Sequence, residues 1–212
     1  MTPQQTASKP TASKPSGSGD SKGPARPVSA GRLVRNLLLW LLPVALVWMA
    51  LTPSYNLFLT TAGENLLHLL ESPDVTDLVT TESHFATVLR RDFTAERSAV
   101  HRVRVTDVHF PLVLLGALFL AVPGISWRRR LENLGWALLI SVFFHISLVV
   151  LHVKFAYATQ LGAWSLEHYG PLAREVWGMA KHLADLPLKL AWPLVLWTAF
   201  YLRLLLPARA SS

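Results

Sequence analysis

The distribution of charged residues constrains this chain more than any other feature. Three stretches of 28, 20 and 21 residues contain no charged side chain: 36–63, 108–127 and 133–153. A fourth, 186–206, contains one lysine and one arginine near its ends. A helix that crosses the roughly 30 Å hydrocarbon core of a bilayer needs about 20 mostly apolar residues. The sequence therefore predicts four transmembrane helices, at about residues 35–53, 108–126, 134–153 and 187–206.

The alternative is a soluble helical bundle, in which each helix would show a polar face at a period of 3.6 residues. Residues 112–122 show none, because they are Leu, Val, Gly, Ala and Phe throughout. Charged residues make up 16% of the chain, against about a quarter in soluble domains. Both observations favour a membrane protein.

The absence of Cys excludes a disulfide scaffold, a thiolate metal site, c-type haem attachment and a Cys nucleophile.

The basic residues predict the orientation of the chain. Six Lys or Arg and one Asp precede the first predicted span, and three consecutive Arg follow the second. Residues 53–107 carry five Arg against eight acidic residues. Loops rich in Lys and Arg stay in the cytoplasm. Both termini and the loop 127–133 are therefore expected on the cytoplasmic side of a bacterial inner membrane. The net charge of +7 then reflects topology and anionic lipid, and no nucleic-acid partner is expected.

The segments outside the predicted spans differ in composition and in the spacing of their apolar residues. Residues 1–31 repeat Thr-Ala-Ser-Lys-Pro and predict a disordered cytoplasmic tail. Residues 54–107 begin with an apolar helical stripe and continue as three Val- and Thr-rich strands, which predicts a small α+β extracytoplasmic subdomain. Residues 154–186 predict an amphipathic helical segment. The fold class is thus an all-α membrane protein with this one α+β addition, and whether the strands need a partner to form a sheet is left open.

Ionisable groups inside the predicted spans are the first candidates for function, because burying them in hydrocarbon is costly. His145 lies near the middle of the third span, and His152 lies two turns further along the same face. His109 opens the second span, so it is expected near His152. Three imidazoles could bind haem, another metal centre or a quinone headgroup. The competing interpretation is that all three pack and form hydrogen bonds.

No catalytic site is predicted. Ser141 and Ser147 flank His145 on one helix, and such neighbours do not build a nucleophile, base and orienting acid. No phosphate-binding glycine loop or dinucleotide fingerprint occurs. We therefore expect no enzyme activity and no dedicated metal site.

The order of segments along the chain is distinctive. A basic flank leads to one span, about 50 extracytoplasmic residues follow, and His109-Phe110-Pro111-Leu112 opens a second span before the Arg-rich turn. This layout resembles that of the small membrane proteins associated with exosortases, the bacterial protein-sorting enzymes. The similarity covers residues 33–206 and is one of topology. It implies an accessory role beside a sorting enzyme. It transfers no catalytic residue, because exosortases use a Cys nucleophile and this chain contains no Cys.

The sequence thus predicts a non-catalytic, multi-pass accessory protein of the inner membrane. Its partners would be the bilayer and a membrane or extracytoplasmic protein, engaged by residues 55–107 and 155–186. The rival hypothesis is a cofactor-binding membrane subunit that uses His109, His145 and His152. A homo-oligomer stays open.

Overall fold

A computed structural model describes residues 30–82 and 84–205. The predicted tail lies outside these residues, apart from its last two, which begin the first helix. The helical and strand elements follow in chain order: α1 Ala30–Leu70, β1 Thr76–Thr81, β2 Phe85–Arg90, β3 Ala99–Arg104, α2 Val105–His109, α3 Leu112–Ala121, α4 Trp127–Thr159, α5 Ala163–His168, α6 Pro171–Leu183, a π-helical turn Ala184–Leu188 and α7 Lys189–Leu205.

Helix α1 is one continuous helix of 41 residues with Pro43 and Pro53 inside it. At about 1.5 Å per residue it is roughly 60 Å long, about twice the hydrocarbon thickness. Its first half is largely exposed and rich in Leu, whereas Leu59 and Leu67 in its second half are fully buried. The predicted span and the predicted amphipathic stripe therefore belong to a single helix with two different environments.

The three predicted strands are confirmed. They form an antiparallel sheet in the order β1-β2-β3, with Leu78 opposite Val88 and Ala86 opposite Val103. The inner face of the sheet shares one hydrophobic core with Leu67 of α1 and several residues of α4. The sheet is thus covered by helices of its own chain.

Helices α1, α3, α4 and α7 run alongside one another. Asn36 donates to the carbonyl of Ala121 at 3.2 Å, and Asn56 donates to Thr106 at 3.1 Å, so the segment that ends in α3 runs antiparallel to α1. Trp40 stacks on Trp127, whereas Lys154 pairs with Glu71, so α1 and α4 run parallel. Helix α7 packs back along α3 and α4. We call the end containing Arg32, Arg35, Arg128 and Arg129 the arginine end, and the opposite end the sheet end.

The prediction of four transmembrane helices is wrong. Among residues 30–82 and 84–205, two helices are long and apolar enough to cross a membrane, α1 and α4. Helix α3 has 10 residues, about 15 Å, and all but two of them are buried against neighbouring helices. Helix α7 has 17 residues, with Pro193 inside. The all-round apolarity of α3 reflects burial in protein, which hydropathy alone does not distinguish from burial in lipid.

Segment boundaries also differ from the sequence pattern. Residues 127–133, predicted as a loop, form the first turns of α4, which continues to Thr159. Residues 163–188 contain α5, α6 and the π-helical turn, and Pro171 occupies the first turn of α6.

Candidate functional site

His109 and His145 lie together in the interior, with ring centroids 6.5 Å apart. Both contact Tyr55 of α1 edge to face. The hydroxyl of Tyr55 shares a hydrogen bond of 2.9 Å with Nδ1 of His145. We call these residues, together with Trp48 and Asn56, the histidine network.

Both ring nitrogens of His109 are engaged. The indole Nε1–H of Trp48 donates to Nδ1 at 3.1 Å, and an indole can only donate. Nδ1 therefore carries the lone pair and the proton is on Nε2, which donates to Oδ1 of Asn56 at 2.6 Å. His109 is a neutral imidazole with no lone pair available to a metal, and it links α2 to α1.

His152 does not join this pair. Its Nδ1 lies 2.7 Å from the carbonyl oxygen of Leu148, and its Nε2 lies 3.0 Å from Oδ1 of Asp185. Both ring nitrogens of His152 therefore already have a partner within the protein. The structure brings together two of the three predicted histidines, and neither His109 nor His152 turns a free lone pair toward a ligand.

The two serines near His145 are also occupied. Ser141 donates to the carbonyl of Ala137 and accepts from the indole of Trp192. Ser147 donates to the carbonyl of Phe143 at 2.9 Å. Such bonds to a carbonyl one turn earlier are common for helical serines, and they leave neither hydroxyl facing an imidazole base.

The environment of His152 is a polar cleft of about 260 Å³ beside β3. Residues 101–104 all line it, together with residues of α4, α6 and the π-helical turn. Side chains alternate between the faces of a strand, so a cleft lined by four consecutive residues runs along the edge of β3. We call it the β3 cleft.

The β3 cleft is basic. Arg102, Arg104, Lys181 and Lys189 line it, against Asp107 and Asp185. Asp185 lies 2.7 Å from Lys181 and 3.9 Å from Lys189. Burial acts to raise the pKa of Asp185, but the Lys181 hydrogen bond and the charges of His152, Lys181 and Lys189 outweigh it and lower the pKa. Burial, with the charges of His152 and Lys181, lowers the pKa of His101.

Sequence reasoning missed the β3 cleft. Its one local signal is the spacing of Lys181, Asp185 and Lys189, which places opposite charges four residues apart on a helical segment. Their proximity to Arg102 and Arg104 of β3 depends on how the sheet packs against α4 and α6.

Glu64, His68 and Asp77 form a second cluster, with ligand-type atoms within 4.8 Å of one another. Each already has a protein partner. Glu64 accepts from the amide of Leu78, His68 Nε2 donates to the carbonyl of Thr76 at 2.6 Å, and both oxygens of Asp77 accept from Arg91. The hydrogen bond from Arg91 is the main reason that the pKa of Asp77 is lowered. These bonds join β1 to α1 and to the end of β2.

Arg90 is a buried cation that the sequence did not single out. Its guanidinium lies 4.3 Å from the ring centre of Trp164 and 4.8 Å from that of Tyr157. Asp92 receives two hydrogen bonds from it. Cation–π contacts and a paired carboxylate offset the cost of burying the charge, and they attach the sheet to α4 and α5.

The chain matches no family model, no curated protein and no solved structure.

Proposed function

We propose that this chain is a non-catalytic, membrane-bound interaction protein that captures an extended acidic segment of a partner protein along the free edge of β3. The observation that carries this proposal is the position of that edge, which borders a basic cleft. Within the described residues, β3 is hydrogen-bonded to β2 alone.

The backbone of β3 supports strand addition. The amide of Val105 donates to the carbonyl of His84, and Ala86 lies opposite Val103 in the same register. Because amides alternate in direction along a strand, those of Arg102 and Arg104 point away from β2. An exposed edge of this kind is a template for another extended chain, and main-chain hydrogen bonds supply the affinity.

The charges of the β3 cleft select the partner. Four fixed cations face two carboxylates there, and Asp185 already pairs with two of the lysines. The side chains of Arg102 and Arg104 are more than half exposed. Glu or Asp side chains on an incoming strand would meet them, and this attraction would steer association at low salt.

The membrane sets where this capture occurs. Helices α1 and α4 are long and apolar enough to cross a bilayer, and both begin at the arginine end. By the positive-inside rule we place the arginine end on the cytoplasmic side of a bacterial inner membrane, and the sheet end outside it. The β3 cleft would then face envelope proteins.

The resemblance to exosortase-associated proteins suggests the partner's context. An accessory protein of a sorting system would hold a substrate or another component near the membrane without performing the chemistry. Crosslinking from position 102 in living cells, followed by identification of the captured protein, tests this assignment. Capture of a sorting-system component supports it, whereas capture of unrelated proteins alone contradicts it.

A matched pair of variants tests strand addition itself. Arg102→Thr removes the charge and keeps the amide, whereas Arg102→Pro removes both the charge and the outward-pointing amide proton. Proline is tolerated on the free side of an edge strand, and losing one hydrogen bond costs about 0.5–1.5 kcal/mol. The probe is a fluorescent peptide of alternating Val and Glu, and its anisotropy is measured with the full chain in detergent.

We expect the wild-type chain to bind the peptide, with weaker binding at high salt. The proline variant should bind about three- to tenfold more weakly than the threonine variant. Far-UV circular dichroism checks that both variants keep the sheet. Equal affinities for the two variants, or no peptide binding by the wild type, would refute the proposal.

A further inference from the structure

A second cavity lies away from the β3 cleft, between α1, α3 and α4. Its volume is about 440 Å³, and Val44, Val47 and Leu51 of α1 line one wall. Leu112 of α3 and Leu138 of α4 line the others. We call it the apolar groove. Its walls are almost entirely hydrocarbon, so its occupant must be apolar where the two meet.

The polar side chains at the inner end of the apolar groove are already paired. Trp48 donates to His109, Thr52 donates to the carbonyl of Trp48 at 2.8 Å, and the Tyr55 hydroxyl is bonded to His145. A polar headgroup placed there would have to break these bonds. The inner end therefore suits the end of a hydrocarbon chain.

The apolar groove is continuous with the outer surface of the two helices that are long enough to cross a membrane. Val47 and Leu51 line it and are 58% and 59% exposed, and Leu138 is 38% exposed. A lipid acyl chain that is already in the bilayer can thus enter the apolar groove from the side without passing through water. A contiguous exposed apolar surface of this kind is unusual on a soluble protein.

The other end of the apolar groove lies toward the arginine end. Trp40 lines this end and stacks on Trp127, with ring centroids 5.6 Å apart. The next residues, Arg128 and Arg129, are exposed. Arginine matches phosphate oxygens in geometry and charge, and tryptophan favours the headgroup level of a bilayer. Arg128 pairs with Glu132 at 3.0 Å.

The distances agree with a lipid. Trp40 and Tyr55, at the two ends of the apolar groove, are separated by 15 positions of α1, or about 22 Å at 1.5 Å per residue. This exceeds half of the roughly 30 Å hydrocarbon core, the depth that one leaflet occupies. The apolar groove is therefore long enough to hold, along its full length, an acyl chain that reaches from the arginine end to the middle of the bilayer.

We propose that the apolar groove binds one anionic phospholipid, with an acyl chain between α1, α3 and α4 and its phosphate on Arg128 and Arg129. The lipid would fill the space between the helices and hold the arginine end at the inner headgroup level. This site lies apart from the β3 cleft, so it stands or falls independently of peptide capture.

Native mass spectrometry of the full chain in mild detergent tests the proposal, with phosphatidylglycerol and phosphatidylcholine as probes. Leu138→Trp fills the apolar groove. Leu139→Trp is the matched control, because Leu139 is the next residue of α4 and does not line the groove. Arg128→Ala with Arg129→Ala removes the phosphate site and leaves the walls intact. Thermal unfolding and far-UV circular dichroism check that each variant is folded.

We expect the wild type to retain phosphatidylglycerol about tenfold more strongly than phosphatidylcholine. Leu138→Trp should lose retention of both lipids by about tenfold, and Leu139→Trp by less than about twofold. The double arginine variant should bind the two lipids equally. Equal retention of the two lipids by the wild type, or equal effects of the two tryptophan variants, would overturn the proposal.

Discussion

Replacing Asp185 with asparagine removes the carboxylate that Lys181, Lys189 and His152 share in the β3 cleft. Its Oδ2 lies 2.7 Å from Lys181, and its Oδ1 lies 3.0 Å from His152 and 3.9 Å from Lys189. The Asp185 side chain is one quarter exposed, and that of Lys189 is 14% exposed. Exposed pairs contribute up to about 1 kcal/mol, whereas breaking a fully buried pair costs about 3–5 kcal/mol. For this partly buried cluster we expect Asp185→Asn to lower the free energy of unfolding by about 1–3 kcal/mol at neutral pH.

The pH dependence follows from the lowered pKa of Asp185. An unfolded Asp titrates near about 3.9. A depressed pKa in the folded state therefore contributes stability that is present above this value and is lost as the pH falls through the folded pKa. The stability difference between wild type and variant should be full at neutral pH and should shrink below about pH 4.

The same substitution should strengthen peptide capture. Removing one negative charge leaves the β3 cleft more basic, and a charge at about 4 Å contributes about 1 kcal/mol in water. We expect Asp185→Asn to bind the Val–Glu peptide two- to fivefold more tightly, by about 1 kcal/mol at most, although the protein is less stable.

The assay is denaturant unfolding in detergent at neutral and at acidic pH, together with peptide anisotropy. Glu175→Gln is the matched control, because Glu175 is exposed on α6 and does not line the β3 cleft. A stability loss that does not change with pH, or weaker peptide binding by Asp185→Asn, would show that the charge reasoning is wrong.

Two further predictions concern packing and hydrogen bonding. Gly63→Ala should lower the free energy of unfolding by about 1–2 kcal/mol, because its Cβ would lie 2.9 Å from Cγ1 of Val149. Gly178→Ala is the control: its Cβ would meet no atom within 4 Å, so it should raise the free energy of unfolding by up to about 1 kcal/mol. Equal effects of the two substitutions in unfolding assays would contradict the close approach of α1 and α4. Trp48→Phe should cost about 1–3 kcal/mol by leaving Nδ1 of His109 buried and unpaired. The same change in a His109→Leu background should cost less, and an equal cost would argue against this hydrogen bond.

Local patterns were sufficient for the three strands. Val, Thr and alternating polar residues mark them, and the chain between two strands is short enough for antiparallel pairing. Their register and their cover were not predictable, because Leu67 of α1 and Val149 of α4 reach the same core only after long stretches of intervening chain.

For the histidine network too, the sequence predicted some features and packing decided others. The sequence singled out His109, His145 and His152 as candidate ligands, and placed only His145 near the middle of a span. It paired His109 with His152, because both lie at one end of a predicted span. In the structure Tyr55 and Trp48 of α1 gather His109 and His145, whereas Asp185 holds His152. The π-helical turn that positions Asp185 has no clear signal in the sequence.

The sequence alone determined which segments are apolar, where the strands lie and at which end the arginines gather. Tertiary structure decided whether an apolar segment meets lipid or protein. Lipid tails are about as apolar as leucine side chains. An apolar run can therefore lie in α3, which other helices enclose, or in the first half of α1, which is largely exposed. The partners of each buried polar group were likewise decided by packing, since a hydrogen bond depends on atoms within about 3 Å that can lie anywhere along the chain.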